Sequence, residues 1–200
     1  MTTGLTYGIF IYEQVAELDF VGPLQVFDVS NQLMKGGRVV TIGQDTKPLR
    51  GVGGLQMIPD YRFEDAPKLD VLLLPGTAEI KEYALGNQKA IDWVREQYEK
   101  VNWMTGVCTG GLILQKAGLL KGRKATTHWM LMDSLTKDPE VQELPDMRYV
   151  RDGKIVTSQG ISAGIDMALW LVGEIHTPDH ARLVRKILQY DPAPPYASEV

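Results

Sequence analysis

The chain has 200 residues, 44% of them hydrophobic and 23% charged, with a formal net charge of −4 and a pI near 5.4. That length and composition suit one globular domain over residues 1–200, and the acidic balance leaves no electrostatic footprint for nucleic acid or an anionic membrane. No apolar run reaches the length of a membrane span, Met1–Gly4 shows no basic-then-apolar leader, and a single cysteine cannot form an internal disulfide, so a soluble protein of the reducing cytoplasm is expected.

In chain order, Leu5-Thr6-Tyr7-Gly8-Ile9-Phe10-Ile11-Tyr12 reads as a strand apolar enough for burial. A helix is predicted from Asp19, a candidate N-cap, with Pro23 in its first turns and Leu24, Phe27 and Leu33 inward. Arg38–Gly43 is a second strand, and Gly51–Ile58 reads as a hairpin element around Gly53-Gly54. Asp70–Leu74 is an unbroken apolar strand suited to a central parallel position, stopped by Pro75-Gly76-Thr77. Asn87–Tyr98 is an amphipathic helix with Ile91, Val94 and Tyr98 inward. A short strand is predicted over Lys100–Thr105, a helix from Leu112, and another strand over Lys124–His128. Met147–Val150 and Lys154–Thr157 pair across the turn Arg151-Asp152-Gly153. Ser162 opens an apolar helix through Leu171, a last helix runs from Pro178 to near Tyr190, and Asp191–Tyr196 reads as an extended surface cap. The alternation of strand and helix argues for an α/β sandwich with a mostly parallel sheet, whose sites lie at the carboxyl ends of strands.

Several such ends carry chemistry. Cys108 lies in Thr105-Gly106-Val107-Cys108-Thr109-Gly110-Gly111, a strand-to-helix turn with glycines on both sides. Such a turn holds a nucleophile in strained geometry beside free N–H groups; the alternative for a lone thiol is a buried core cysteine. Gly76 and His128 stand at two further strand ends, and Glu17-Leu18-Asp19 follows the first strand. His176 and His180 are four apart, but Pro178 separates them and no third ligand accompanies them, so no metal site is expected. Asp166 reads as a structural carboxylate, Ile161–Trp170 as core or interface, and Glu13 and Glu17 as solvated.

Taken together these segments resemble the DJ-1/PfpI superfamily. The matching features are Leu18–Phe27 after the first strand, Leu73-Leu74-Pro75-Gly76 after the third, and Gly106–Gly110 at the elbow. They continue in Ala117–Leu120 with Gly122-Arg123, then Ala125–Trp129 and Gly160–Asp166. The resemblance implies a flavodoxin-like three-layer sandwich and a homodimer. Within the superfamily, Asp19, where most members have glutamate, and Thr109 after the cysteine resemble the isocyanide hydratases. Peptidase-like members carry histidine at the position of Thr109, and the glutamine amidotransferases need a late His-x-Glu that this chain lacks. One departure is Pro75-Gly76-Thr77, where the hydratases usually read Pro-Gly-Gly.

The resemblance implies a cofactor-independent enzyme acting on a small-molecule isocyanide. Cys108 would be the nucleophile and Asp19 the general acid–base with a raised pKa. Thr109 would offer its hydroxyl and N–H to developing charge. Gly76, Thr77, His128, Gly160 and Ile161 would line the substrate and oxyanion pocket. The helix after Cys108 is expected to lower the thiol pKa. Each position also has a plainer reading: N-cap for Asp19, helix capping for Thr109, turn glycine for Gly76, structural hydrogen bonding for His128. Two other functions share the framework. One is a ligand-sensing domain of AraC-type regulators, which continue into a basic helix-turn-helix region that this sequence lacks. The other is a redox-responsive or glyoxal-handling protein of the DJ-1 type, with an oxidisable thiol.

Overall fold

The computed structural model describes residues 4–136 and 140–192. The chain begins with β1 (Thr6–Phe10), α1 (Glu17–Met34) and β2 (Arg38–Gly43). A small antiparallel hairpin follows, β3 (Leu49–Arg50) with β4 (Gln56–Met57), where Gly51–Ile58 predicted it. Next come β5 (Tyr61–Arg62), β6 (Val71–Leu74), α2 (Gln88–Lys100), β7 (Trp103–Val107) and α3 (Gly110–Lys116). The remainder comprises β8 (Lys124–Ala125), α4 (Met132–Thr136), β9 (Gln142–Glu143), β10 (Tyr149–Asp152), β11 (Ile155–Ser158), α5 (Ala163–Ile175) and α6 (Pro178–Ile187).

The main sheet runs β10-β11-β7-β6-β1-β2-β5 and is parallel except for the β10–β11 pair. Its centre, β2-β1-β6-β7-β11, has the flavodoxin-like order. Val71-Leu72-Leu73-Leu74 are all at zero exposure, as the apolar run required; each such side chain contributes about 1.5–3 kcal/mol through burial. Alternate residues of β1 reach opposite faces. Tyr7 stacks on Phe27 of α1 with ring centroids 4.2 Å apart, while Phe10 packs against Trp93 of α2 at 5.9 Å. Helices therefore cover both faces, α1 packing against α5 and α6 on one side.

Strand order reverses between β1 and β6: the chain leaves β1 toward β2 and returns to place β6 on the other side. Their carboxyl ends bound the crevice where ligands bind in such sheets. β1 feeds the loop to Asp19, β6 feeds Pro75-Gly76-Thr77, and the neighbouring β7 feeds Cys108.

Three expectations are corrected. The first helix begins at Glu17, with Ala16 as an N-cap that makes no side-chain bond, so Asp19 lies in its first turn and is fully buried. The strand expected over Lys124–His128 stops at Ala125 and pairs with β9 in a separate small ladder. There Thr126 N donates to Thr157 Oγ1 (2.9 Å) and Thr127 Oγ1 to the Cys108 carbonyl (2.7 Å), so side-chain bonds replace a backbone ladder. The elbow strand starts at Trp103, because α2 extends to Lys100. The cap predicted over Asp191–Tyr196 lies largely outside the described residues.

Gly110 shows how tightly the elbow is seated. A β-carbon there would lie 2.0 Å from the Leu74 carbonyl oxygen, a backbone collision that no side-chain adjustment relieves. Gly110→Ala is expected to lower unfolding free energy by about 2 kcal/mol or more, measured by urea denaturation. An unchanged midpoint and slope would refute this packing.

Candidate active site

Cys108 follows β7 directly and has φ of +58°, the left-handed conformation of a nucleophile elbow. Neighbouring elements hold that strain. The Cys108 N–H donates to the carbonyls of Ser158 and Gln159, each at 3.2 Å, and its own carbonyl accepts from Thr127 Oγ1 and from Gly111 N. The thiol is 7% exposed.

Asp19 reaches the same place from α1. Its Oδ2 accepts from the Gly76 N–H at 2.8 Å, while its buried Oδ1 makes no hydrogen bond. Gly76 is required sterically: a β-carbon there would sit 2.3 Å from Thr109 Oγ1 and 3.0 Å from Asp19 Oδ2. The next residue is clamped by Thr109, whose hydroxyl donates to the Thr77 carbonyl (2.9 Å) and accepts from the Thr77 N–H (2.8 Å). Thr109 therefore spends its hydroxyl on the neighbouring turn and presents its backbone N–H to the sulfur. Thr77 is not among the residues with positive φ, so this turn closes without the glycine usual in the hydratases.

Ile161 supplies a further N–H facing both the thiol and the carboxyl. Its φ of +54° is rare for a β-branched residue and marks a strained site position. Beside it, a β-carbon on Gly160 would lie 2.2 Å from His128 Cδ2, so the imidazole packs directly against this glycine. His128 Nδ1 accepts from Met130 N at 3.3 Å and caps the short turn Trp129–Leu131. The site thus unites Cys108, Asp19, Thr109, Gly76, Thr77 and Ile161, with Gly160 and His128 forming its flank.

The electrostatics reverse one expectation. Burial pushes the Asp19 carboxyl up to about 6, against the opposing pull of the Gly76 N–H, the Cys108 thiol and the Ile161 N–H. Burial and then the Asp19 charge push the Cys108 thiol up to about 12, although the Thr109 and Ile161 N–H groups favour the thiolate. The expected lowering by the following helix is overcome, because two ionisable groups share one dry site. With Asp19 ionised, burial and the facing charge both favour a proton on sulfur, so the two groups meet as a thiol beside a carboxylate.

Tyr12 was not legible as a site residue. Its hydroxyl donates to the Pro75 carbonyl at 2.9 Å, and burial followed by the neighbouring Asp19 and Cys108 raises its pKa well above the phenol range. In sequence it is the last aromatic of an apolar strand; the only hint is that a buried tyrosine hydroxyl needs a partner.

Other candidates lie elsewhere. Glu17 and Glu13, expected to be solvated, hold the β3–β4 hairpin: Glu17 accepts from Gly53 N (2.8 Å) and Leu55 N (3.3 Å), and Glu13 from Arg50 N (3.0 Å). Asp166 pairs with Arg148 (2.6 Å) and the Tyr190 hydroxyl (3.0 Å). His176 ends α5 and His180 lies in α6; their rings are 4.8 Å apart, with His180 Nε2 2.8 Å from Ser30 Oγ. Among the described residues, no group of three or more His, Cys, Asp or Glu could hold a metal ion, and no helix is long and apolar enough to cross a membrane.

A flavodoxin-like sheet with a strained cysteine elbow at its switch point, faced by a buried carboxyl, defines a cysteine-elbow α/β class. The profile of the DJ-1/PfpI family matches residues 8–174, and the chain belongs to that family. It is 40% identical over 195 residues to the isonitrile hydratase of Pseudomonas putida, covering 97% of this chain and 82% of that protein. It is 27% identical over 165 residues to the HTH-type transcriptional regulator CdhR of Pseudomonas aeruginosa, covering 82% of this chain and 48% of the regulator. This chain thus spans about half the length of that relative. A ThiJ/PfpI family protein from Pseudomonas syringae superimposes with a TM-score of 0.89 at 30% identity, over 100% of this chain and 80% of that one. Drosophila melanogaster DJ-1beta, at 20% identity, shares the fold with a TM-score of 0.82 over 96% of this chain and 100% of its own.

Proposed function

We propose that this protein hydrates isocyanides to N-substituted formamides, with Cys108 as nucleophile and Asp19 as proton carrier. The observation that carries the reading is 40% identity, over almost the full chain, to an isonitrile hydratase. The site's chemistry supports it. The terminal carbon of an isocyanide accepts both a nucleophile and a proton, so one S–H adds across that single atom. Asp19 takes the thiol proton, sulfur attacks the carbon, and Asp19 returns the proton to the same carbon, giving a thioformimidate R–N=CH–S. Asp19 Oδ1 makes no hydrogen bond, so its lone pairs are available for this transfer. Water then adds to the C=N carbon, its proton passing to nitrogen through Asp19. Cleavage of the C–S bond releases R–NH–CHO, and the hydroxyl proton returns to sulfur. The Thr109 and Ile161 N–H groups support the sulfur while it carries charge.

The same reading includes a cytoplasmic homodimer. Leu18 beside Asp19, Trp129 and Met130 after His128, and Ile161 are exposed apolar side chains that a second copy would cover. A ligand-sensing role is the second reading, favoured by the likeness to the regulator CdhR. A redox role draws less support, because Cys108 is 7% exposed and its burial and the Asp19 charge disfavour the thiolate that peroxide oxidation needs.

Purified protein incubated with cyclohexyl isocyanide is expected to release N-cyclohexylformamide over many turnovers, read from the formyl proton by NMR. Persistence of the isocyanide while the Cys108 thiol titrates as intact would overturn the hydratase reading and favour ligand sensing.

A further inference from the structure

We propose that the Tyr12 hydroxyl positions Asp19 against Cys108 by gripping the opposite edge of the Pro75–Gly76 peptide. Two hydrogen bonds carry the inference. Tyr12 Oη donates to the Pro75 carbonyl at 2.9 Å, and the Gly76 N–H donates to Asp19 Oδ2 at 2.8 Å. That carbonyl and that N–H belong to one planar trans unit and point in opposite directions. Fixing the oxygen fixes the direction of the N–H. The peptide is a relay plate between the phenol and the carboxyl.

Tyr12 and Asp19 hold the two edges of this peptide by hydrogen bonds, and the other hydrogen bonds of the turn lie further along the chain. Gly76 O accepts from Ala16 N at 2.8 Å, and Thr77 is clamped through its N–H and carbonyl by Thr109. Both contacts lie beyond the Gly76 Cα and leave the tilt of the preceding peptide open. Pro75 has no N–H with which to anchor that peptide from its other side. Tyr12 is itself rigid: it is 6% exposed, and its ring packs at 5.1 Å on Phe10. Its phenol stays protonated and so remains a donor. Cys108 and Tyr12 are the titratable groups that face Asp19, and the Gly76 and Ile161 N–H groups face its carboxyl.

This inference rests on the hydratase reading only for its effect on turnover; its effect on the Asp19–Cys108 pair is independent of substrate. The test is the pH dependence of Cys108 alkylation by iodoacetamide, measured alongside isocyanide turnover, in Tyr12→Phe, Asp19→Asn and the double variant. In the wild type, alkylation is expected to fall as pH drops through the Asp19 titration, because protonated Asp19 cannot take the thiol proton. With the Gly76 N–H misaligned in Tyr12→Phe, the carboxylate is less stabilised, and this limb moves up by roughly half a pH unit. kcat falls about tenfold, the scale of one lost buried hydrogen bond, with KM changed less than kcat. In the Asp19→Asn background the Tyr12 substitution shifts no limb. A Tyr12→Phe protein with the wild-type limb, or one whose effect is the same with Asn at 19, overturns the proposal. If Tyr12→Phe does not fold, 3-fluorotyrosine at position 12, a stronger donor of similar shape, is expected to move the limb downward; no movement overturns it equally. A wild type that spares isocyanide yet shows the limb and its shift refutes the hydratase reading and supports this one.

Discussion

Cys108→Ala is expected to abolish isocyanide turnover while leaving the protein folded. Every intermediate of the proposed route is held through sulfur, which attacks the carbon, carries the thioformimidate and leaves with the returning proton. Without it, Asp19 has no nucleophile to activate, and the loss is at least about 10⁴-fold in kcat/KM, the scale on which covalent catalysts fail without their nucleophile. The fold survives because the elbow is held through the backbone of residue 108, its N–H donating to the Ser158 and Gln159 carbonyls and its carbonyl accepting from the Thr127 hydroxyl, and alanine keeps both groups. Alanine and cysteine both carry a β-carbon, so the left-handed backbone at φ +58° costs each the same. Cys108→Ser keeps a proton donor but makes a poorer nucleophile and leaving group, and is expected to retain under about one hundredth of the activity. Formamide release by NMR, with mass spectrometry for an adduct on the wild-type protein, decides the matter. Turnover by Cys108→Ala within a few-fold of wild type would remove the covalent mechanism.

Asp19→Asn is expected to lower kcat/KM by about 10²–10³-fold, the usual contribution of a positioned acid–base group. The amide fills the same space and can still accept from Gly76 N through its oxygen, so the change removes proton transfer rather than shape. The pH profile carries the sign. The base must be ionised, and its pKa is raised to about 6, so wild-type activity is present above that pH and lost as pH falls through it. In Asp19→Asn that limb disappears. The variant also removes the negative charge that, after burial, helps push the Cys108 thiol up to about 12. Alkylation in the variant therefore follows one rise, governed by the thiol alone and starting lower than for the thiol beside a carboxylate. A wild-type acid limb in Asp19→Asn would assign the titration to another group.

Much of this site was legible because its residues sit where the backbone punctuation is strongest. The glycines around Cys108 marked a turn, and Pro75-Gly76 marked the end of a buried strand. The apolar run Val71–Leu74 marked the centre of the sheet, whose carboxyl end holds sites in this class. Asp19 was legible only through resemblance; its local pattern read as an N-cap, and the structure instead turns it inward from the first turn of α1. Tyr12 carried only the hint of a buried hydroxyl, since its contribution is a single hydrogen bond across a long sequence separation. The hairpin contacts of Glu13 and Glu17 were hidden for a related reason. Their partners are N–H groups of a distant hairpin, and charge patterning does not reveal backbone donors.

The sequence by itself determined the alternation of buried strands and amphipathic helices and the place of the elbow, because periodicity and turn chemistry are local properties. The tertiary structure decided the electrostatics of the site. A pKa depends on how dry a group is and which charges face it, and both follow from which strand ends meet. Bringing the ends of β1, β6 and β7 together buries one carboxyl against one thiol and raises both. Burial and the facing carboxyl thereby work against the thiolate that the local turn suggested.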